Sequence, residues 1–224
     1  MASHSESVED YLKAVYDIGR AGGSVTTTAL AERLDVSPAS VTGMVKKLAG
    51  LGLLVHAPYQ GVTLTEPGRR IAVETIRHHR LVETYLHQAL GVPWDKLHAE
   101  AEAWEHVLSE DLEARMDAAL GHPTVDPHGA PIPTVALELV EEDHPPLARL
   151  DVGQIATVAQ VSDHDSELLR HVGTAGLYPA TQFVVETLAD DGDISIRLLS
   201  GDREGETGHL RAAATAHIFV TDIS

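Results

Sequence analysis

HRLVETYLHQALGVPWDKLHAEAEAWEH, residues 79–106, is the stretch whose reading decides the fold. Its spacing predicts two helices broken at Gly91-Val92-Pro93. On the first, Ala72, Ile76, His79, Glu83, Leu86 and Leu90 share a face, so His79 and Glu83 interrupt an apolar stripe at helical spacing. An ionised Glu on a face destined for burial is costly unless it is paired or coordinated, and a His one turn away lets both hold one cation. On the second helix His98, Glu102 and Glu105 follow at i, i+4 and i+7 with His106 beside them, next to an apolar stripe of Leu97, Ala101, Trp104 and Leu108. Any one of these polar groups on its own reads as a solvated helix face. The aligned set reads as a metal-binding region.

The chain has 224 residues, enough for more than one domain with its own core. It contains no cysteine, so any metal is held by nitrogen and oxygen. No run reaches the ~18 apolar residues of a membrane span, and MASHSESVEDYLK lacks the apolar core of a secretory signal, so a cytoplasmic protein without membrane contact is expected. The net charge of −18 argues against nucleic acid at first sight. Residues 24–80, however, carry 7 basic and 4 acidic groups, and a local basic face can bind phosphate on an acidic protein.

That basic segment has its own pattern. Residues 5–20 read as a helix with Val8, Tyr11, Leu12, Val15 and Ile18 inward, stopped by Ala21-Gly22-Gly23. Thr26, Thr27 or Thr28 caps a second helix burying Leu30, Ala31 and Leu34. Ser37-Pro38 then opens a third, SPASVTGMVKKLAGLG, with Ser37 as N-cap and Pro38 as first helical residue. Val41, Met44, Val45 and Leu48 face inward, leaving Ser37, Pro38, Ala39, Ser40, Thr42, Gly43, Lys46 and Lys47 for the small, polar outer surface of a recognition helix. LLVHAPYQGVTLT adds two short strands about a turn at Tyr59-Gln60-Gly61, which makes a winged helix-turn-helix. Thr27, Tyr59 and Gln60 complete the expected DNA-contacting set.

Thr65-Glu66-Pro67-Gly68 starts the helix that reaches Leu90. Ser109 is a further break, after which Leu112, Met116 and Leu120 continue an apolar face. Residues 121–133 are proline-rich irregular chain, and 134–150 a linker with an acidic knot at Glu141-Glu142-Asp143. Beyond Leu150 the period changes to two. Residues 155–161, 182–186, 194–198 and 217–220 are strand candidates, with a short helix from Ser166 to Val172, describing a small SH3-like β-barrel. The expected architecture is mainly α with small β. Its parts are a DNA-binding domain at 1–72, a helical metal-binding and dimerisation domain at 73–133, a linker at 134–149 and an SH3-like domain at 150–224.

VEDYLK, SPASVTGMVKKL, RHHRLVETYL, HAEAEAWEHVLS and DPHGAPIP, with a tail like the ferrous-transport-type SH3 domain, together resemble the diphtheria-toxin-repressor family of metal-dependent transcriptional regulators, its manganese-responsive branch most. The resemblance implies two metals per subunit. One site would use His79, Glu83 and His98, completed from Asp163, His164, Asp165 or Glu167. The other, regulatory, site would use Asp10, Glu102, Glu105 and His106. Where iron-responsive members carry sulfur at the positions of Asp10 and Glu102, this chain has carboxylates, which suit Mn²⁺, although Fe²⁺, Co²⁺, Cd²⁺ and Zn²⁺ are compatible with an O/N site. Lys13 stands where some manganese members place a second acid.

The resemblance further implies a homodimer on double-stranded DNA with a palindromic operator, a repressor rather than an enzyme. Without metal, the clustered acids of the regulatory site are expected to repel one another and loosen the region. Two alternatives use the same residues: an iron-responsive regulator of the family, and a His/Glu metallohydrolase, which lacks the spare base of an H-E-x-x-H arrangement.

Overall fold

The computed structural model describes residues 5–20, 22, 24–57, 61–140 and 142–224. Tyr59, Gln60 and Glu141 lie outside the described residues. The chain forms two compact units. The first comprises Met1–His79, Trp104–Glu110 and Pro133–Leu139, and the second Arg80–Ala103, Asp111–Ile132 and Val140–Ser224. Among the described residues no helix is long and apolar enough to cross a membrane.

The first unit is built on α1 (Glu6–Arg20), α2 (Thr27–Arg33) and α3 (Pro38–Gly50), followed by a hairpin of β1 (Leu54–Ala57) and β2 (Gly61–Leu64). The caps are those the sequence predicts. Thr26 Oγ1 accepts from the Ala29 amide at 3.1 Å, and Ser37 Oγ from the Ser40 amide at 3.2 Å, with Pro38 in the first turn. Val8, Leu12, Val15, Leu30, Val41, Val45, Leu48, Leu54 and Val62 form one core. The wing is stapled to the next helix by close backbone contact. Thr65 Oγ1 donates to the Gly52 carbonyl at 2.7 Å, and a Cβ on Gly68 would stand 2.0 Å from the Leu53 carbonyl oxygen, so only glycine fits there.

Helix α4 (Glu66–Leu90) runs its 25 residues from the first unit into the second. Its stripe departs from expectation at one end, where Leu90 is exposed. In the second unit, Gly91 and Pro93 lead into a 3₁₀ turn at Trp94–Lys96 and α5 (Leu97–Trp104). This helix is shorter than its spacing suggests. The chain leaves α-geometry after Trp104, the Val107 amide bonds the Trp104 carbonyl at 3.2 Å, and Trp104 itself is exposed. Glu105 and His106 therefore sit in a turn after the helix. Helix α6 (Glu110–Ala119) begins just after Ser109.

A five-stranded antiparallel sheet closes the second unit. Its strands are β3 (Ile155–Val161), β4 (Gln182–Leu188), β5 (Ile194–Leu198), β6 (Thr207–Leu210) and β7 (Ile218–Thr221), in the order β6-β5-β4-β3-β7. Helices α7 (Ser166–Thr174) and α8 (Ala212–Thr215) intervene. Strand β6 is absent from the sequence reading because Gly208 and His209 break its apolar alternation. It exists because Gly208 can approach the Ala175 carbonyl, where a Cβ would be 2.4 Å from the oxygen. Phe183, Leu169, Ile196, Ile218 and Val220 anchor this core.

Candidate metal centres

The first cluster belongs to the first unit and joins α1 to the turn after α5. Asp10, Glu105 and His106 each offer a donor atom within 4.8 Å of the others. The His106 imidazole donates through Nδ1 to Glu9 Oε2 at 2.7 Å and through Nε2 to Asp10 Oδ1 at 2.9 Å, and Glu105 Oε1 lies 3.7 Å from Nε2. With acceptors on both nitrogens the ring is held as imidazolium. The bond to Asp10 pushes its pKa up to about 9 against the opposing effect of burial, with Glu9 and the charge of Glu105 adding to the rise. Glu105 is buried, and Lys13 Nζ donates to its two oxygens at 2.9 and 2.8 Å. His79 Nδ1 contacts Glu105 Oε2 and lies 3.2 Å from Lys13 Nζ. Three acids, Glu9, Asp10 and Glu105, thus face two cations, Lys13 and protonated His106. Lys13 and Glu105 pair across 92 residues of sequence, which no local pattern displays.

The second cluster lies in the second unit. Glu83, on α4 one turn after His79, is fully buried, and its donor atoms, those of His98 on α5 and those of Asp163 after β3 lie within 4.8 Å of one another. His98 Nδ1 is 3.5 Å from Asp163 Oδ2, and His98 Nε2 is 3.7 Å from Glu102 Oε1. His164 is half exposed beside them, its Nδ1 3.3 Å from Asp163 Oδ1. Asp165 is used differently. Its Oδ1 accepts from the Glu167 and Leu168 amides at 2.8 and 3.1 Å as the N-cap of α7, which leaves Asp163 to serve the cluster. Glu102 and Asp10 fall in different units.

Two donors escaped the sequence reading. Asp126 and His128, 5% and 1% exposed, stand with Glu83 as a fully buried triad. They come from the proline-rich segment, which is pinned by Trp94 Nε1 donating to the Pro127 carbonyl at 3.0 Å and by Arg80 donating to the Pro131 carbonyl. Asp126 Oδ1 accepts from the amides of His128 and Ala130 at 2.8 and 2.9 Å, closing the turn, while His128 Nε2 points to the Trp94 carbonyl at 3.1 Å. Gly129, at φ +88, lets this turn press on β3, where a Cβ would stand 2.1 Å from the Ala159 carbonyl oxygen. The remaining atoms, Asp126 Oδ2 and His128 Nδ1, are buried without a hydrogen bond among the described residues. Nδ1 faces Glu83 Oε1 at 3.6 Å. Burial and the charge of Glu83 raise the Asp126 pKa to about 7 against the pull of Arg80. Burial lowers the His128 pKa, but pairing with Glu83 and the charge of Asp126 more than reverse it, to about 9. Buried polar atoms left over inside a ring of O and N donors fit a divalent cation. The only local signals were the DPHG turn and its histidine, with no periodicity to mark either as inward.

Most of the expected DNA-facing residues are grouped on one element. Ser37, Pro38, Ala39, Ser40, Thr42, Lys46 and Lys47 are all exposed on or just before α3, and Thr27 is half-buried at the start of α2. The Thr42 hydroxyl donates to the Pro38 carbonyl at 2.9 Å.

Three family models match the chain: "Iron dependent repressor, N-terminal DNA binding domain" over residues 4–62, "Iron dependent repressor, metal binding and dimerisation domain" over 65–134, and "FeoA domain" over 146–222. The iron-dependent repressor IdeR of Mycobacterium tuberculosis (strain ATCC 25618 / H37Rv) is 36% identical over 200 residues, covering 84% of this chain and 86% of that protein. Among solved structures, a manganese-dependent transcriptional repressor in complex with manganese superposes with a TM-score of 0.87 at 38% identity, covering 96% of this chain and 99% of the other. ScaR with bound Cd²⁺ gives a TM-score of 0.78 at 30% identity, covering 96% and 98%. With a DNA-binding helix pair, clusters of metal-fit donors and these relatives over nearly its whole length, the chain belongs to the diphtheria-toxin-repressor family of metal-dependent transcriptional repressors.

Proposed function

We propose that this protein is a homodimeric repressor of metal-uptake genes that binds a palindromic operator when a divalent ion, Mn²⁺ foremost, occupies two sites in each subunit. The observation that carries the reading is the cluster of Asp10, Glu105 and His106. Asp10 sits on α1, whose apolar face packs in the same core as α2 and α3, while Glu105 and His106 sit in the turn after α5. A divalent ion there supplies the charge that neutralises the acids and bonds that fix the turn against α1. Asp10 orients the DNA-binding helices through the shared core, and α3 then presents Ser37, Ser40, Thr42, Lys46 and Lys47 to phosphates, with Pro38 and Ala39 reaching thymine methyls. Glu102, three residues before Glu105, is proposed as a further donor on family resemblance.

Glu83, with His98 and Asp163 on one side and Asp126 and His128 on the other, holds the second ion in this reading. Such buried donors suit a coordinatively closed structural site and not a catalytic one that must admit substrate, so the reading is a regulator and not a hydrolase. All these donors are oxygen or nitrogen, which favours Mn²⁺ over ions that seek thiolate. Fe²⁺ is the second reading, supported by relatives named iron-dependent repressors. Self-association, in the cytoplasm, is supported by the match of residues 65–134 to a metal binding and dimerisation domain.

Equilibrium dialysis of chelator-stripped protein against Mn²⁺ and Fe²⁺, with metal counted by mass spectrometry, tests the reading. Two ions per chain are expected, falling to one in Asp10→Ala and to one in His128→Ala. Retention of two ions in either variant removes that cluster from the account.

A further inference from the structure

We propose that Lys13 is an internal counter-cation that competes with the divalent ion for Glu105 and so sets the metal concentration at which the regulatory site fills. The inference rests on the metal-gated reading above. Lys13 belongs to the buried face of α1, between Leu12 and Ala14, and is only 8% exposed. A lysine is rarely drawn into such a position without a partner, and here one carboxylate takes its ammonium on both oxygens at 2.9 and 2.8 Å. The same Glu105 presents Oε1 toward His106 and, through it, toward Asp10. The carboxylate is therefore claimed by Lys13 and His79 on one side and by the His106–Asp10 pair on the other.

Each group follows from its place in the chain. Asp10 and Lys13 are three residues apart on α1, so one helix delivers both a donor for the ion and a cation that opposes it. An ion held by Asp10, Glu105 and His106 shares Glu105 with an ammonium less than 3 Å away, and like charges on one carboxylate repel where little water screens them. Loading the site requires Lys13 to yield at least part of its bond to Glu105. Removal of the ion returns Glu105 to Lys13, so the unloaded site keeps its shape instead of leaving a buried acid unpaired. The lysine then works as a threshold device. It holds the site assembled and raises the level of free ion needed to take it over.

Two roles for Lys13 make opposite predictions. A lysine that only positions Glu105 for the ion is needed for binding, so its loss weakens metal affinity. A competing lysine, when neutralised, strengthens it. The experiment compares full-length wild type with Lys13→Met, Lys13→Gln and Lys13→Arg. Calorimetric Mn²⁺ titration of chelator-stripped protein is read beside thermal melts with and without Mn²⁺.

The expected result is that both neutral variants bind Mn²⁺ at the regulatory site about tenfold tighter or more, equivalent to about 1.4 kcal/mol per tenfold. Their metal-free melting temperature falls by several degrees, and their gain on adding Mn²⁺ exceeds that of wild type. Lys13→Arg, which keeps the cation, stays near wild-type affinity. Lys13→Gln retains a hydrogen bond to Glu105 and carries the test if Lys13→Met does not fold without metal. Unchanged or weaker Mn²⁺ binding in the folded neutral variants overturns the competition. If wild type takes up no Mn²⁺ at all, the metal-gated reading itself fails and this inference falls with it, an outcome distinct from the first.

Discussion

In the proposed regulatory site, metal uptake must expel a proton from His106. The imidazolium is stabilised by Asp10 and Glu9, its pKa stands at about 9 against an ordinary 6.5, and its side chain is 8% exposed. A metal ligand needs the neutral ring, so at pH 7.5 the proton costs about 30-fold in affinity, or ~2 kcal/mol, relative to pH well above 9. Affinity at this site should therefore climb close to tenfold per pH unit from 6.5 to 8.5. The metal-free protein should show the opposite trend. A group whose folded pKa is raised contributes stability that is fully present below pH 6.5 and is lost as pH rises toward 9, here up to ~3 kcal/mol for His106. Mn²⁺ calorimetry at pH 7.5 in buffers of different ionisation enthalpy counts the protons. About two should leave per chain, one from His106 and one from His128, whose pKa is also raised to about 9. In His106→Gln the count should fall by one, and the metal-free stability should lose part of its slope between pH 6.5 and 9. A variant that releases as many protons as wild type, with an unchanged slope, refutes the reasoning.

Other substitutions probe other links. Gly43 lies exposed in the middle of α3 with nothing within 4 Å of an added Cβ, so Gly43→Ala should stabilise the metal-free protein by up to ~1 kcal/mol in thermal or urea unfolding. If α3 meets DNA closely, the same variant should lose operator affinity. Gly129→Ala forces a Cβ to 2.1 Å from the Ala159 carbonyl at positive φ, and should cost on the order of 2–4 kcal/mol in unfolding free energy while reducing bound metal by one per chain. Lys47→Ala should weaken binding to all duplexes alike and lower the slope of log affinity against log salt by about one, as measured by filter binding across a salt series.

Much of the fold is legible from local chemistry, because Ser37-Pro38, the capping threonine and the apolar periodicity of α1 and α4 each determine structure within a few residues. The candidate donors His79 and Glu83 are visible for the same reason: polar groups on an otherwise buried helical face stand out, while His98 is marked only by its alignment with Glu102 beside an apolar stripe. What escapes is decided at long range. Glu105 and His106 read as a continuation of α5, yet the helix ends at Trp104 without a glycine or proline to announce it. Asp126 and His128 lie in irregular chain, and their burial depends on Trp94, Arg80 and the close approach of Gly129 to β3. Lys13 is an ordinary helical lysine in sequence. Only the fold brings Glu105 to it across 92 positions. The strand at Thr207–Leu210 is missed because its glycine, a weak strand former, is required by contact with the Ala175 carbonyl.

The central claim, that metal at the Asp10 cluster switches DNA affinity, is tested most directly by fluorescence anisotropy. Chelator-stripped wild type and Asp10→Ala are titrated with Mn²⁺ in the presence of a duplex selected from the genome and of a random-sequence duplex. The account predicts tight binding of the selected duplex by wild type only with metal, and loss of that response in Asp10→Ala. Affinity for the selected duplex that ignores Mn²⁺ in both proteins contradicts it.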